Sequence, residues 1–166
     1  YDASIADCGF ARLAPPVSGG GSRQDSACAG LKALYQNECD IKYVLIQDSA
    51  RVFSSKKLIQ SAVRCARDSR ACVPVLPVAD SLRRLSGRTS EPVYRTGLVA
   101  VQTPQAFELD IIMQAHERAV AAGRRDFSDD ASLAEWSGVS IATFPGEPGN
   151  FKLTYPQDFI MAEALL

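Results

Sequence analysis

At 166 residues, with 46% hydrophobic residues and a formal net charge of −1, the chain has the size and balance of one soluble globular domain with a substantial core. That balance carries no positive footprint for nucleic acid or an anionic membrane, and the apolar runs fall short of a membrane span. The five cysteines (Cys8, Cys28, Cys39, Cys65, Cys72) form no C-x-x-C pair and read as thiols of a reducing compartment. His116 is the single histidine, so a zinc site or a Ser-His-Asp triad has little to draw on, and any chemistry falls to carboxylates, Lys, Arg and backbone.

The opening residues do not read as a secretory leader, and residues 1–22 are weakly patterned. They hold a short possible helix near Ile5–Leu13, then Pro15-Pro16 and the glycine run Gly19-Gly20-Gly21. Asp25-Ser26 can cap a helix through Ala29, Leu31 and Leu34. Tyr43-Val44-Leu45-Ile46 is a continuous apolar run, expected to be a strand covered on both faces. Ser54-Ser55 opens a helix from Lys56 to about Arg67. Residues 71–78 are apolar and β-branched but carry Pro74 and Pro77, which suits a strand with an irregular end.

Residues 79–97 are polar and turn-rich, and predict an excursion from the main sheet in the form of a β-hairpin arm. Val99-Ala100-Val101 is the next strand, and Leu109, Ile112, Met113 and His116 fall at helical spacing before a stop at Gly123. Ser128-Asp129-Asp130 caps a short helix ending near Trp136. Strands follow at Ser140–Phe144 and Phe151–Thr154, and Tyr155-Pro156 opens the last helix. Alternating strands and helices predict an α/β fold with a parallel or mixed sheet, without repeats or interdomain linkers.

Several segments could carry chemistry. The Gly19–Ser26 stretch leads glycines into a helix N-terminus, where backbone N–H groups attract oxygen, but taken alone it reads more simply as a flexible loop plus helix cap. Asp48 follows a buried strand, a place suited either to an Mg²⁺ ligand or to an ion pair with Arg51 or a helix cap. Asp129 and Asp130 fit a helix cap, and Lys152 is either an exposed lysine on an edge strand or a point charge for a phosphate. Arg95 offers a guanidinium fork, and seven residues later the apolar run Leu98–Val101 gives way to Gln102-Thr103-Pro104-Gln105. A cation, a hydroxyl and two amides thus surround one strand exit, where open α/β sheets bind ligands.

In register, these segments resemble the 2-C-methyl-D-erythritol 4-phosphate cytidylyltransferase family of the non-mevalonate isoprenoid pathway, from about Gly19 to Leu166. The forms 20–26 (Gly-Gly-Ser-Arg-Gln-Asp-Ser), 98–105, Asp129-Asp130-Ala131 with Glu135-Trp136, and 148–154 are similar to the bifunctional version fused to a cyclodiphosphate synthase domain. The resemblance implies a cytoplasmic, dimeric nucleotidyltransferase of three-layer, Rossmann-like α/β fold with a mostly parallel sheet. It also implies transfer of a cytidylyl group from CTP to methylerythritol phosphate with Mg²⁺, releasing pyrophosphate. Gly20, Gly21 and Ser26 would lie at the cytidine, and Asp48 near Mg²⁺ with Arg51 close by. Ser81, Arg95, Thr103 and Ser128 would surround the methylerythritol phosphate, with Lys152 on the phosphoryl charge. The 79–97 arm would deliver Arg95 to the neighbouring subunit.

Where the family reads His-Asp-Ala-Ala-Arg-Pro, this chain has Gln47-Asp48-Ser49-Ala50-Arg51-Val52. Ser81 and Ser128 each stand for a threonine, Tyr94 for an aspartate, and Gly21 for an acid seen in many members. The family's opening strand and triphosphate loop have no match in residues 1–22. The expectation is a partial domain. About 60 residues, at roughly 30 per βαβ unit, would lie upstream, and a second domain beyond Leu166. The isolated stretch would then be inactive. Another polyol-phosphate cytidylyltransferase, or an inactive dimerisation fragment of the same fold, is the alternative reading.

Overall fold

The computed structural model describes residues 13–37 and 40–166, which fall into two compact units divided between Ile41 and Lys42. In the first unit, helix α1 spans Arg23–Asn37. Its cap is Ser22, whose Oγ accepts from the Asp25 N–H at 3.0 Å, so the helix begins earlier than the Asp25-Ser26 signal suggests. Gln24, Cys28 and Leu31 form its buried stripe at i, i+4, i+7 spacing. The helix expected near Ile5–Leu13 lies outside the described residues, apart from Leu13, which is exposed and in neither helix nor strand.

The second unit runs β1 (Tyr43–Ile46), α2 (Lys56–Ser69), β2 (Ala71–Pro77), β3 (Leu82–Ser86), β4 (Thr89–Val93), β5 (Val99–Val101), β6 (Gln105–Glu108), α3 (Leu109–Ala121), α4 (Asp130–Trp136), β7 (Ala142–Pro145) and α5 (Pro156–Glu163). Strand β2 is central. β7 pairs with it in parallel along one edge, in the register Cys72↔Ala142 to Val75↔Pro145. Along the other edge, β6 pairs antiparallel with its start (Cys72↔Ala106) and β5 with its end (Val75↔Val101). Strand β1 lies outside β6, antiparallel to it, from Tyr43↔Glu108 to Ile46↔Gln105. Thus β1, β2 and β7 share one direction, and β5 and β6 act as a single counter-running strand interrupted at Gln102-Thr103-Pro104, where the Thr103–Pro104 peptide is cis.

The sequence pattern did not announce β6. Gln105-Ala106-Phe107-Glu108 is short, polar at both ends and follows a proline, so it shows neither clear alternation nor an apolar run. Strand β2, by contrast, remains regular through both prolines. The Pro74 carbonyl accepts from the Gln102 N–H at 2.8 Å, but the proline returns no donor, and pairing along that edge is interrupted there while the strand itself runs on.

Helix α2 covers one face of the sheet. Ser55 caps it by accepting from the Leu58 N–H at 3.0 Å, and Arg70, at φ 71°, closes it with its N–H on the Ala66 carbonyl. Leu58, Ala62 and Ala66 meet Cys72, Ala106 and Phe144, with Tyr43, Leu45 and Ala142 packed around them. Alternation along the strands turns Ala71 and Phe107 to the opposite face, where α3 meets β6 and α4 meets β2. Helix α3 buries Leu109, Ile112, Met113 and His116, as its spacing predicts, together with Ala115 and Ala119, and Gly123 (φ 65°) ends it. Two helical layers therefore enclose the sheet. Among the described residues no helix is long and apolar enough to cross a membrane.

Strands β3 and β4 form a separate antiparallel hairpin, the expected arm, in the register Leu82↔Val93 to Ser86↔Thr89. Its two-residue turn starts with Gly87 at φ 59°, the conformation a type II′ turn needs at its first central residue. None of its residues is buried.

Because Ala62 and Ala66 let α2 sit directly on the sheet with no exposed surface, a larger side chain there has no room. Ala62→Leu is expected to cost about 1–3 kcal/mol by overpacking. An unchanged urea midpoint would show that the helix–sheet contact is looser than described.

Candidate active site

The end of β1 delivers Gln47 and Asp48, and the loop that follows is tied to the interruption between β5 and β6. The Asp48 N–H donates to Thr103 Oγ1 at 3.0 Å, and the Arg51 N–H returns to the Asp48 carbonyl at 3.0 Å. Asp48 Oδ2 then faces two cations, Lys152 Nζ at 3.1 Å and Arg51 Nε at 3.8 Å. The expected pairing of Asp48 with Arg51 is thus present at long range, and Lys152 adds a shorter one. Burial lowers the Arg51 pKa and the Asp48 charge opposes that shift; a guanidinium stays protonated regardless. Two cations about one carboxylate leave a net positive group at the strand ends, suited to a phosphate. Lys152 is about half exposed (48%), which leaves its ammonium open to solvent and ligands.

Lys152 does not sit on a strand. Residues 151–154, expected as strand, have no ladder partner. The Leu153 N–H donates instead to the Ala50 carbonyl at 2.9 Å, and the loop is pinned by side chains. Gln102 Nε2 donates to the carbonyls of Glu147 (3.0 Å) and Asn150 (3.1 Å), while its Oε1 accepts from the Glu147 N–H at 3.1 Å. Asn150, fully buried, donates from Nδ2 to the Thr103 carbonyl at 2.7 Å and accepts at Oδ1 from Ser54 Oγ at 2.9 Å. Arg51 Nη1 donates to the Asn150 carbonyl at 2.8 Å. Gln47 Nε2 reaches Ser54 Oγ at 2.7 Å and the Arg51 carbonyl at 3.1 Å, so the glutamine braces the loop after β1.

A second amide joins the start of β6 to α4. Gln105 Nε2 donates to Asp129 Oδ2 at 2.8 Å, and its Oε1 accepts from the Ala131 N–H at 3.0 Å. Asp129 is the N-cap of α4, as expected, accepting from the Ser132 N–H at 2.9 Å. Asp130 departs from a simple cap role: it is buried with its Oδ1 at 3.2 Å from Nε2 of the buried His116. Ser128 stands just before this cap, its Oγ 3.4 Å from Ser132 Oγ.

Among the predicted site residues, the structure brings Asp48, Arg51, Thr103 and Lys152 into one bonded group. Arg95 and Ser81 are not part of it. Arg95 lies between β4 and β5, exposed, and its guanidinium donates to the Ala79 carbonyl, while Ser81 is exposed where the arm begins. Gly20, Gly21 and Ser26 belong to the first unit. There the Gly20 N–H donates to Ser26 Oγ at 3.1 Å, and a Cβ on Gly20 would come within 2.3 Å of the Asp25 Cβ, so only glycine fits. Gly21 has no such constraint, its nearest atom being Asp25 Oδ2 at 3.8 Å. Among the described residues there is no group of three or more His, Cys, Asp or Glu side chains that could hold a metal. A divalent cation here would depend on Asp48 and on ligand oxygens. What the sequence reading missed is the amide scaffold of Gln102, Gln105 and Asn150; their only signal was an amide on each side of Thr103-Pro104 and another shortly before the lysine.

A mixed α/β sheet between helical layers, with a carboxylate and two cations at the strand ends, is the architecture of a Rossmann-like nucleotidyltransferase domain. The family model for IspD, 2-C-methyl-D-erythritol 4-phosphate cytidylyltransferase, matches residues 7–166, and the chain belongs to that family. It is 47% identical over 163 residues to the bifunctional enzyme IspD/IspF of Nitrobacter hamburgensis, covering 97% of this chain and 40% of that protein. To the bifunctional enzyme of Bradyrhizobium diazoefficiens it is 46% identical over 154 residues, covering 92% and 38%. The crystal structure of 2-C-methyl-D-erythritol 4-phosphate cytidylyltransferase from Thermus thermophilus superposes with a TM-score of 0.82 at 35% identity, over 99% of this chain and 85% of that one. The bifunctional IspDF of Campylobacter jejuni shares the fold, with a TM-score of 0.75 at 24% identity, over 96% and 39%. The chain thus spans about two fifths of the length of the curated bifunctional relatives it matches.

The scaffold has a steric condition. A Cβ on Gly146 would stand 2.5 Å from Gln102 Oε1 and 3.2 Å from the Val75 carbonyl. Gly146→Ala is expected to force Gln102 off the Glu147 backbone and to cost about 1–3 kcal/mol, the range for a buried polar group left unpaired. A thermal midpoint equal to that of the parent would show that the loop yields freely.

Proposed function

We propose that the protein transfers a cytidylyl group from CTP to 2-C-methyl-D-erythritol 4-phosphate, releasing pyrophosphate, as a step of non-mevalonate isoprenoid biosynthesis. The observation that carries this reading is the Asp48 carboxylate held between Lys152 and Arg51 at the strand ends, in a chain of the cytidylyltransferase family. A phosphate oxygen of the acceptor attacks the α-phosphorus of CTP as the bond to pyrophosphate breaks. Charge builds on non-bridging oxygens, so catalysis here rests on positioning and cations.

Lys152, half exposed at the end of a long four-carbon stem, is suited to leave Asp48 for those oxygens. Arg51, tied to the Asn150 carbonyl, holds its charge in place. Asp48 is the one carboxylate of the group, and a single hard oxygen donor fits Mg²⁺, which binds through one or two carboxylates together with substrate phosphates. Bound there, the ion would neutralise phosphate charge. Thr103, Ser128, Ser81 and Arg95 serve the methylerythritol phosphate; Gly20, Gly21 and Ser26 serve the cytidine. The free thiols of Cys28, Cys65 and Cys72 accord with a cytoplasmic setting. The names of the bifunctional relatives support a protein in which this domain is joined to a second enzyme.

The arm supports a homodimer. A two-stranded hairpin is marginal on its own, and β3–β4 buries no side chain in this chain. A second copy would cover it, and Arg95 would reach the partner's Asp48 group across that contact.

In the complete protein, Lys152→Ala is expected to lower kcat by about 100-fold, the effect of losing one transition-state donor. Near-normal kcat would remove Lys152 from the mechanism. Mixing Arg95→Ala and Lys152→Ala proteins, each strongly impaired alone, is expected to raise turnover well above either through mixed dimers that keep one intact site. Failure of the mixture to regain activity, with subunit exchange verified, would place Arg95 in its own subunit's site.

A further inference from the structure

We infer that Asn150 is the positioning residue of this site, setting Lys152 and Asp48 against each other by bonding three separate segments at once. The inference rests on the reading of Lys152 and Asp48 as groups at the reacting centre. Asn150 is 0% exposed, yet its side-chain hydrogen bonds go to Thr103 and Ser54, not to the Lys152 ammonium or the Asp48 carboxylate. Its Nδ2 takes the Thr103 carbonyl at the break between β5 and β6, and its Oδ1 takes the Ser54 hydroxyl from the loop after β1. Its backbone N–H bonds the Glu147 carbonyl at 3.0 Å, and its own carbonyl receives Arg51 Nη1 and Gln102 Nε2.

Each of these bonds bears on one side of the ion pair. Thr103, held through its carbonyl by Asn150, uses its hydroxyl to accept the Asp48 N–H. Asn150 therefore fixes the carboxylate through one intermediate residue. Lys152 follows Asn150 by two positions, and the Leu153 N–H anchors the far side of the lysine to Ala50. Asn150 thus fixes the root of the cation as well. Ser54 extends the brace to Gln47, the residue standing where the family carries a histidine. A primary amide is needed because one atom must donate to a carbonyl and the other accept from a hydroxyl, in a pocket closed to water.

An error of about 1 Å in placing reacting groups costs on the order of 100-fold in rate. An isosteric carboxylate at 150 keeps the acceptor for Ser54 but puts a second oxygen against the Thr103 carbonyl. In the complete protein, Asn150→Asp is expected to lower kcat by about 10- to 100-fold while KM for CTP stays within about twofold. The deciding measurement is the double variant Asn150→Asp/Lys152→Ala. If Asn150 acts through Lys152, the double variant turns over about as slowly as Lys152→Ala alone, because the misplaced lysine is already gone. Effects that multiply, or an Asn150→Asp enzyme with parental kcat, would overturn the inference. If Lys152→Ala alone keeps parental kcat, it is the functional reading that fails. Should Asn150→Asp not fold, Ser54→Ala removes the Oδ1 donor from the half-buried edge of the network. It is expected to lower kcat several-fold in the parental background and to have no effect in the Lys152→Ala background. Equal effects in both backgrounds would overturn the inference equally well.

Discussion

A strand that stops partway along a neighbour leaves backbone donors and acceptors that must be met by something other than the ladder. In this protein the strand opposite the second half of β2 breaks at Gln102-Thr103-Pro104, and the site is built from the groups that satisfy the break. The Gln102 N–H keeps a sheet-like bond to Pro74, the Thr103 carbonyl goes to Asn150, and the Thr103 hydroxyl reaches Asp48. The loops after β1 and β7 are drawn to the same point because they bear the required amides and hydroxyls. Each such bond contributes only about 0.5–1.5 kcal/mol, but a missing partner in a buried place costs about 1–3, so the arrangement is held as a set.

Above this scaffold the charges are arranged for a change of partner. A half-exposed ion pair such as Lys152–Asp48 stabilises the fold very little, because solvent screens it and both side chains lose freedom. The same weakness lets a phosphate draw the lysine away at small cost. Arg51 behaves differently: its side chain is mostly buried and its Nη1 is bonded to a backbone carbonyl, so its charge stays where the fold puts it. In the proposed reaction, one solvent-open and one fixed cation around a single carboxylate would divide the work of capturing a substrate and orienting it. The buried His116–Asp130 contact lies elsewhere, between α3 and the start of α4, where it joins the helices that carry Ser128 and Asp129 to their layer.

The helical layers were largely legible in the sequence, since their apolar spacing and caps are local signals: Ser55 before α2, Asp129 before α4, Gly123 after α3. Asp48, Arg51, Thr103 and Lys152 stood out as residue types, but only the family resemblance of their motifs in register joined them into one site. Strand β6 was hidden, because Gln105 and Glu108 break its apolar pattern and only pairing with β1 and β2 makes it a strand. The Phe151–Thr154 run was misread in the opposite sense: apolar and β-branched, it looks like a strand, but its backbone and flanking side chains are spent on loop contacts. Asn150 and Gln102 were visible as residues and invisible as a hub. Their side-chain partners lie 45 or more positions away, and no local period encodes that distance.

The arm shows how an exposed hairpin can stay sociable without becoming sticky. Counting outward from the Ser86↔Thr89 pair at the turn, Arg83↔Pro92 falls at a position where backbone groups point away from the partner strand. Pro92 therefore removes a donor from the outer edge of β4, at a point where a foreign strand would otherwise add on. On the other strand, Arg83 and Arg84 crowd the approach with charge, Arg84 paired at 3.0 Å to Glu91. Edge-to-edge growth into aggregates is discouraged on both sides, while the faces of the hairpin, with Leu85 79% exposed, remain free. Any partner must read side chains rather than extend a ladder, so the arm's sequence, not its strand character, decides what it accepts.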